Sequence, residues 1–260
     1  MKFLKTNSTE TIDSLGSELY QKLTTPIDAM WELLYIASSQ HYFIEDEAKN
    51  IGYCCIDDGN SLLQIYLIDE FAHRMDKAIT SLIESGLINS AKLSSSALVA
   101  FNTCLFHSKS IKPNTICYQH TNNVIQNVTP LNLELATEED ISGIKTFLKE
   151  QVGMDDTFGY TENLVTRQEI YFIKESDVII ATSECRMSDT QPEIADLGII
   201  VSRDHQGKGM ATQVMQTQVN RVLKAGRRPI CSTTFDNVAS RKAIEKSGFY
   251  CTNVIFDISF

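Results

Sequence analysis

Residues 201–212 have the residue types and the spacing to hold a diphosphate. Gly207 and Gly209 lie there between an apolar stretch and a pattern of helical spacing. Glycine lets backbone amides come close to an anion, and the first turn of a helix adds unpaired N–H groups and the positive end of its dipole. The same glycines would also suit an ordinary tight turn that needs positive φ angles. This segment alone leaves both interpretations open.

The flanking residues indicate the elements that would position this loop. Residues 194–201 are mostly apolar and rich in β-branched side chains, which predicts a buried strand. After the loop, apolar residues recur at helical spacing until Gly226, which predicts a helix with a glycine stop. The members of that apolar stripe are Ala211, Val214, Met215, Val219, Val222 and Leu223.

Two common nucleotide motifs do not match this loop. A Walker loop needs Ser or Thr directly after its lysine, but here Gly209 follows Lys208. The dinucleotide fingerprint needs a small residue at the position of Thr212. The pattern [QR]-x-x-G-x-[GA] does match residues 206–211, and it resembles the acyl-CoA signature of the GNAT family of N-acetyltransferases. The resemblance implies binding of acetyl-CoA by the loop residues and the strand before them. These are Ile199, Ile200, Val201, Gln206, Gly207, Lys208, Gly209, Met210, Ala211 and Thr212.

The surrounding pattern agrees with this resemblance over the second half of the chain. Thr137 and Asp140 predict a capping box at a helix start, and strands are predicted at 169–174, 178–186 and 229–234. Asn237, a short helix and Gly248-Phe249 resemble a later motif of the family. Alternating apolar residues at 254–260 predict a last strand that closes the sheet. We expect an α/β (α+β mixed sheet) acyl-CoA N-acyltransferase fold.

The first half of the chain contains a weaker copy of the same pattern. Tyr42-Phe-Ile-Glu-Asp46 reappears as Tyr171-Phe-Ile-Lys-Glu175, residues 62–68 align with 194–200, and 72–84 align with 212–224. The loop position of the first copy, residues 69–74, has no glycine and carries acidic groups. We therefore predict a tandem of two GNAT-like domains, with a degenerate domain at 1–125 and the active domain at 126–260, joined by a polar linker that ends at Pro130.

Composition indicates the cellular compartment and the classes of partner that we expect. The chain has 260 residues, a formal net charge of −10 and seven scattered cysteines, without a C-x-x-C pair or a Cys/His cluster. We expect no metal, no nucleic-acid partner and no membrane partner, a cytoplasmic location, and an amine substrate that is a small molecule or a peptide. The oligomeric state is left open.

Transfer of an acetyl group to an amine requires a base, because an ammonium must lose a proton before it attacks the thioester. Glu193 is the first candidate, since it begins the strand at a place where the resemblance implies a catalytic glutamate. Asp196 and Glu184 are the alternatives, and each of the three could instead be a solvated carboxylate. His205 is expected to contact solvent or phosphate.

The leaving thiolate requires a proton donor. At the position of that donor, this sequence differs from many members of the family. Ile244 stands where they carry a tyrosine, so Ser240, Tyr250 or water must take that role. The resemblance implies that Asn237 binds the pantetheine arm, although a helix N-cap would explain it equally well. Asp155, Asp156, Phe158 and Tyr160 lie where this family shapes its acceptor pocket, and a solvated loop is the alternative.

The sequence thus predicts an acetyl-CoA-dependent N-acetyltransferase that works by direct transfer in a ternary complex. A non-catalytic acyl-CoA-binding or regulatory module is the main alternative, because the tyrosine is missing. An unrelated phosphate-binding protein is a third, and it predicts affinity for nucleotides that lack pantetheine.

Overall fold

The structure is a computed structural model that describes residues 1–129 and 131–260, so the predicted chain-breaking role of Pro130 lies outside the described residues. The chain divides into two compact units. The first contains Met1–Cys117 and Thr252–Phe260, and the second contains Tyr118–Cys251. Among the described residues, no helix is both long and apolar enough to cross a membrane.

The first unit begins with a strand, a helix and an antiparallel hairpin, and a second helical layer follows. Its elements are β1 (Lys2–Thr6), α1 (Thr9–Lys22), a π-helical turn (Trp31–Ile36), β2 (Gln40–Asp46), β3 (Lys49–Ile56), β4 (Ser61–Leu67), a 3₁₀ helix (Asp69–Arg74), α2 (Met75–Glu84), β5 (Ser90–Ser94), α3 (Leu98–His107) and β6 (Ser110–His120), which ends in the second unit.

The second unit repeats this order of elements. It contains β7 (Glu134–Leu135), a 3₁₀ helix (Glu138–Asp140), α4 (Ile141–Val152), α5 (Tyr160–Thr166), β8 (Ile170–Glu175), β9 (Val178–Met187), β10 (Ile194–Val201), a 3₁₀ helix (Arg203–His205), α6 (Met210–Lys224), β11 (Arg228–Thr234), α7 (Val238–Lys246) and the start of β12 (Phe249–Ser259). The capping box predicted at Thr137 and Asp140 is present.

Within the first unit the strand order is β1-β2-β3-β4-β5-β12-β6. The pair β4–β5 is parallel, and the pairs β1–β2, β2–β3, β3–β4 and β5–β12 are antiparallel. The strands β3 and β4 are buried along nearly their whole length, because helices cover both of their faces. On one face, Ile65 and Leu67 pack with Ile79 and Leu82 of α2. On the other, Tyr53 and Tyr66 pack with α1 and with Trp31, which is therefore a core residue.

Within the second unit the strand order is β11-β10-β9-β8-β7, with β10 and β11 parallel and the others antiparallel. The apolar stripe of α6 forms as predicted, and Val214 packs against Ala181 of β9 and Val201 of β10. Side chains alternate between the two faces of a strand. Asp196 and Gly198 therefore lie on the face of the sheet opposite to α6.

The last strand differs from its prediction. The alternating residues at 254–260 were expected to close the sheet of the second domain. Instead β12 pairs antiparallel with β5, with Phe256 opposite Leu93 and Ile258 opposite Ala91. Alternation reveals that a strand has one buried face but not which sheet contains that face.

Substitution of Ile258 tests this assignment. Its side chain is 1% exposed in the core of the first unit. We expect Ile258→Ala to lower the free energy of unfolding by about 2–5 kcal/mol, the usual cost of truncating a buried aliphatic side chain. Ile111→Ala is the matched control, because Ile111 is 41% exposed. Equal losses for the two variants in urea denaturation would contradict this placement of β12.

Candidate active site

The strands β10 and β11 part after a short paired stretch. Their parallel register runs from Ile194 opposite Arg228 to Asp196 opposite Ile230. Beyond Asp196, β10 stays paired with β9 as far as Val201 opposite Ala181. The backbone edge of residues 197–201 that faces β11 is thus without a paired strand in the described structure, and its Val201 carbonyl accepts the Gln206 side chain. An extended amide chain can add to such an edge, as an additional strand would.

The glycine loop lies at the end of this open edge. Gly207 and Gly209 have φ angles of 75° and 85°, and a Cβ atom built on either would have no atom within 4 Å. Gly209 is the N-cap of α6, and the first ladder bond of this helix runs from the Gln213 amide to the Gly209 carbonyl. The amides of the first helical turn have no acceptor within the helix. An anion can approach them without meeting a side chain.

Two side chains hold the loop in place. The Gln206 side-chain amide donates to the Val201 carbonyl at 3.1 Å, which ties the loop back to β10. His205, which was expected to contact solvent or phosphate, is partly exposed, and its two ring nitrogens bond Ser202 Oγ at 2.7 Å and Glu175 at 3.0 Å. Lys208 is exposed on the same loop.

The start of α7 lies at the same edge of the sheet, because the parallel strands β10 and β11 end on the same side. Asn237 is the N-cap of α7, and its side chain accepts the Ser240 amide at 3.1 Å. The capping role is therefore present, and the side-chain NH₂ of Asn237 keeps its donors. Ser240 is half-buried and Tyr250 is 51% exposed. Ile244 is buried, so it offers only an apolar side chain where relatives carry a hydroxyl.

A buried charged cluster lies where β10 and β11 begin to part, and we call Tyr160, Glu184, Arg186 and Asp196 the ionic cluster. All four are less than 9% exposed. The Arg186 guanidinium donates to Asp196 at 2.9 Å, to the Tyr160 hydroxyl at 3.2 Å and also to Glu184. The Tyr160 hydroxyl donates to Glu184 at 2.7 Å. Two carboxylates thus share one guanidinium, which leaves one negative charge in excess if all three are ionised.

Gly198 gives this cluster room. A Cβ atom at Gly198 would lie 3.2 Å from Arg186 Nη1 and 3.4 Å from Glu184 Oε2, so a side chain there would press on the ion pair. The β9–β10 register is regular through Gly198, and the separation from β11 begins two residues earlier, after Asp196. The missing Cβ atom at Gly198 therefore leaves room for Arg186 and Glu184 on this face of the sheet.

Glu193 lies at the other end of β10. It is exposed, it precedes the strand, and its carbonyl accepts the Arg228 amide on the paired side of the two strands. It lies three residues before Asp196, where the strands begin to part, which is roughly 10 Å of extended chain. The structure brings Asp196 and Glu184 together at the opening and leaves Glu193 away from it.

Only one of the four predicted acceptor residues joins the cluster. Tyr160 is in it, whereas Phe158 is exposed and Asp155 pairs with Lys149 at 3.3 Å on the surface. Asp156 accepts the Tyr160 amide at 3.0 Å and the Thr161 amide at 2.6 Å, and so caps α5. Burial works to raise the pKa of Asp156, but these hydrogen bonds and Lys145 hold its pKa below the usual value.

Sequence reasoning missed Arg186. The strand Val178–Met187 is apolar over most of its length, and Glu184 and Arg186 are its buried charges, two residues apart on one face. Charges at alternate positions of a buried strand require partners of opposite sign. With Asp196 in the next strand, that pattern could have indicated an internal ion network.

The first unit has no counterpart of the glycine loop. Residues Asp69–Arg74 form a 3₁₀ helix that continues into α2, and the Met75 amide donates to the Ala72 carbonyl. Asp69 pairs with Lys22 at 2.5 Å. The amide at this helix start is thus already bonded, and carboxylates stand where a phosphate would bind.

The first unit also lacks the ionic cluster. The hairpin bulges after Ile44 and Ile173 correspond, and the last parallel pairs of the two units end at Leu62 and Asp196. This register corrects the sequence alignment of residues 62–68 with 194–200 by two positions. Cys55, Ile56 and Leu62 then occupy the positions of Glu184, Arg186 and Asp196. The first unit carries apolar side chains where the second carries charges.

Family models match both halves of the chain. The model described as "Acetyltransferase (GNAT) domain" matches residues 8–121, and the model described as "Acetyltransferase (GNAT) family" matches residues 136–249. The chain belongs to the GNAT family. Members of this family are acyltransferases that use acetyl-CoA, and the chain is a tandem of two GNAT domains, as the sequence predicted.

Solved structures agree over the whole length. A GNAT-family acetyltransferase from Colwellia psychrerythraea is 28% identical, with a TM-score of 0.94 and full coverage of both chains. A GCN5-related N-acetyltransferase from Sphaerobacter thermophilus is 11% identical, with a TM-score of 0.68 over 99% of this chain and 95% of the other. A tandem GNAT protein from the clavulanic acid biosynthesis pathway is 12% identical, with a TM-score of 0.63 over 99% and 98%. The last two support the fold alone.

No curated protein matches the chain. In the ranges 1–129 and 131–260, no group of three or more His, Cys, Asp and Glu residues is arranged to hold a metal ion.

Proposed function

We propose that the second GNAT domain transfers an acetyl group from acetyl-CoA to an amine, directly and within a ternary complex. The observation that carries this proposal is the glycine loop at the start of α6, with open space over Gly207 and Gly209 and an unpaired strand edge leading to it. The loop and α6 bind the diphosphate, and the edge of residues 197–201 binds the pantetheine arm. Asn237 and Ser240 flank the arm from α7.

We assign the base to Asp196 in place of Glu193. Asp196 lies at the point where the strands part, and Arg186 holds its carboxylate. An acceptor ammonium is attracted by the excess negative charge of the ionic cluster and loses its proton to Asp196. Tyr160 and Glu184 form the neighbouring wall. The open edge of β10 is placed to stabilise the oxyanion, and water protonates the departing thiolate.

A covalent acyl-cysteine is disfavoured. Cys185 lies in β9 near the opening, but burial raises its pKa to about 12, so its thiol is protonated at neutral pH. We also propose a cytoplasmic location, because six of the seven cysteines are buried as small core residues, which is usual in a reducing compartment.

The second candidate function is a non-catalytic acyl-CoA-binding or regulatory module. It is favoured by one observation, the buried Ile244 at the position of the missing tyrosine. It shares the cofactor site with the first candidate but predicts no turnover with any amine.

Calorimetric titration with acetyl-CoA tests the cofactor site that both candidate functions require. We expect one site per chain, because only the second unit has the glycine loop and the ionic cluster. ADP should compete more weakly than acetyl-CoA, since it lacks the pantetheine arm. Equal affinity for ADP would instead favour a general phosphate-binding protein, and two equivalent sites would contradict the degeneracy of the first unit. An amine screen for thiol release then separates the enzyme from the module.

A further inference from the structure

Asp28 of the first unit differs from the other buried carboxylates of the chain. Its residue is 7% exposed, and it is in no ion pair among the residues that the structure describes. A carboxylate is almost never buried without a compensating cation. Each of the other buried carboxylates in the described ranges is paired with a Lys or Arg side chain: Asp46, Asp156, Glu169, Glu184 and Asp196.

The local bonds of Asp28 explain only part of its carboxylate. Asp28 Oδ1 accepts the Trp31 amide at 2.9 Å, and the Asp28 carbonyl accepts the Glu32 amide at 3.0 Å. Asp28 thus caps the helical segment that leads into the π-helical turn. In the described structure the second carboxylate oxygen has no donor. Asparagine or serine would cap the segment equally well, so the cap does not require the charge.

Asp28 lines a pocket of the first unit, where β4 and β5 part. The parallel pairing of these strands ends at Leu62 opposite Ala91, and Leu63 and Leu93 line the pocket beyond it. The lining is mainly apolar, and Asp28 is the only charged side chain in it among the described residues. The pocket encloses about 40 Å³, whereas a single water needs about 10–15 Å³. It therefore has room for several non-hydrogen atoms.

We propose that this pocket binds an alkylammonium group, with the Asp28 carboxylate as its counter-ion. The ammonium donates a charge-assisted hydrogen bond to the second carboxylate oxygen, beside the indole of Trp31. The alkyl carbons pack on the apolar lining, and a longer chain extends past the half-buried Leu23 and Pro26. This inference does not depend on acetyl transfer by the second unit. Because the first unit has no glycine loop, an amine bound here is not acetylated there.

Trp31 supplies a local signal for the test, because it is the only tryptophan of the chain and lines the pocket. Its fluorescence is followed while n-butylammonium chloride is added, with sodium chloride at the same concentrations as the blank. We expect a saturable change with a dissociation constant of about 1–10 mM, since so few atoms bind weakly. The absence of a saturable change up to about 100 mM overturns the proposal.

n-Butanol tests the charge, because it has the same alkyl chain without the ammonium. We expect it to bind at least about tenfold more weakly than n-butylammonium, the usual effect of losing a hydrogen bond between charged groups. Equal affinities would mean that the pocket binds alkyl chains without help from Asp28, which overturns the proposal. This comparison uses the wild type alone, so it decides the proposal even if a variant folds poorly.

A pair of variants then tests the carboxylate itself. Asp28→Asn removes the charge and keeps an acceptor for the Trp31 amide. Asp57→Asn is the matched control, because Asp57 also accepts a backbone amide, from Ser61 at 2.8 Å, but pairs with Lys92 at 3.2 Å. We expect Asp28→Asn to weaken n-butylammonium binding by at least about tenfold, and Asp57→Asn to leave it unchanged. Unchanged affinity in Asp28→Asn, or an equal loss in both variants, overturns the proposal.

Discussion

Gly209→Glu should weaken acetyl-CoA binding by about 100-fold or more, because it would remove the proposed contact between the diphosphate and the α6 amides. The new carboxylate would stand at the positive end of the helix dipole and compete with the phosphates for the same N–H groups. A hundredfold change corresponds to about 2.7 kcal/mol of binding free energy. Calorimetry with acetyl-CoA measures it directly.

Gly226→Glu is the control for backbone strain. Gly226 has a φ of 73°, close to the 85° of Gly209, and a Cβ atom there would also meet no atom within 4 Å. It follows the opposite end of the same helix, where no phosphate is proposed to bind. Gly226→Glu should therefore cost similar stability and leave acetyl-CoA affinity within about threefold. Equal loss of affinity in the two variants would mean that strain, not the anion site, explains the effect.

Asp196→Asn should lower kcat by about 10²- to 10⁴-fold, the usual contribution of a general base. Asparagine has nearly the same shape and can still accept the hydrogen bond from Arg186, so acetyl-CoA affinity should change by less than about threefold. Steady-state kinetics with the best amine from the screen and calorimetry with acetyl-CoA separate the two effects.

Glu193→Gln is the competing substitution, because the sequence favours Glu193 as the base and the geometry favours Asp196. Glu193 is exposed on the paired side of β10 and β11, so we expect kcat to fall by less than about twofold. A large loss in Glu193→Gln with normal activity in Asp196→Asn would restore Glu193 as the base.

Local patterns predicted much of the second unit. The strand at Ile194–Val201, the glycine turn and the stripe of α6 were predicted because each depends on residues close together in sequence. The capping box at Thr137 is local for the same reason. The repeated hairpin of the first unit was predicted from its sequence similarity to 171–175, and its bulge falls at the corresponding residue.

The contacts of single side chains were less predictable. His205 was expected to meet solvent or phosphate, and the structure bonds it to Glu175, which is distant in sequence. Asp156 was expected to meet an ammonium, and it caps α5 instead. Each of these side chains could have bonded several kinds of partner. The partner that it does bond depends on which residues the fold brings next to it.

The family, the glycine loop and the loss of that loop from the first copy could be predicted from the sequence, because they depend on residue types at short fixed spacing. Three features could be seen only in the folded chain: β12 pairs with β5, Glu193 lies away from the opening, and Arg186 joins Asp196, Glu184 and Tyr160. Strand register and strand order are set by the packing of whole faces, so they bring together residues that no local pattern relates.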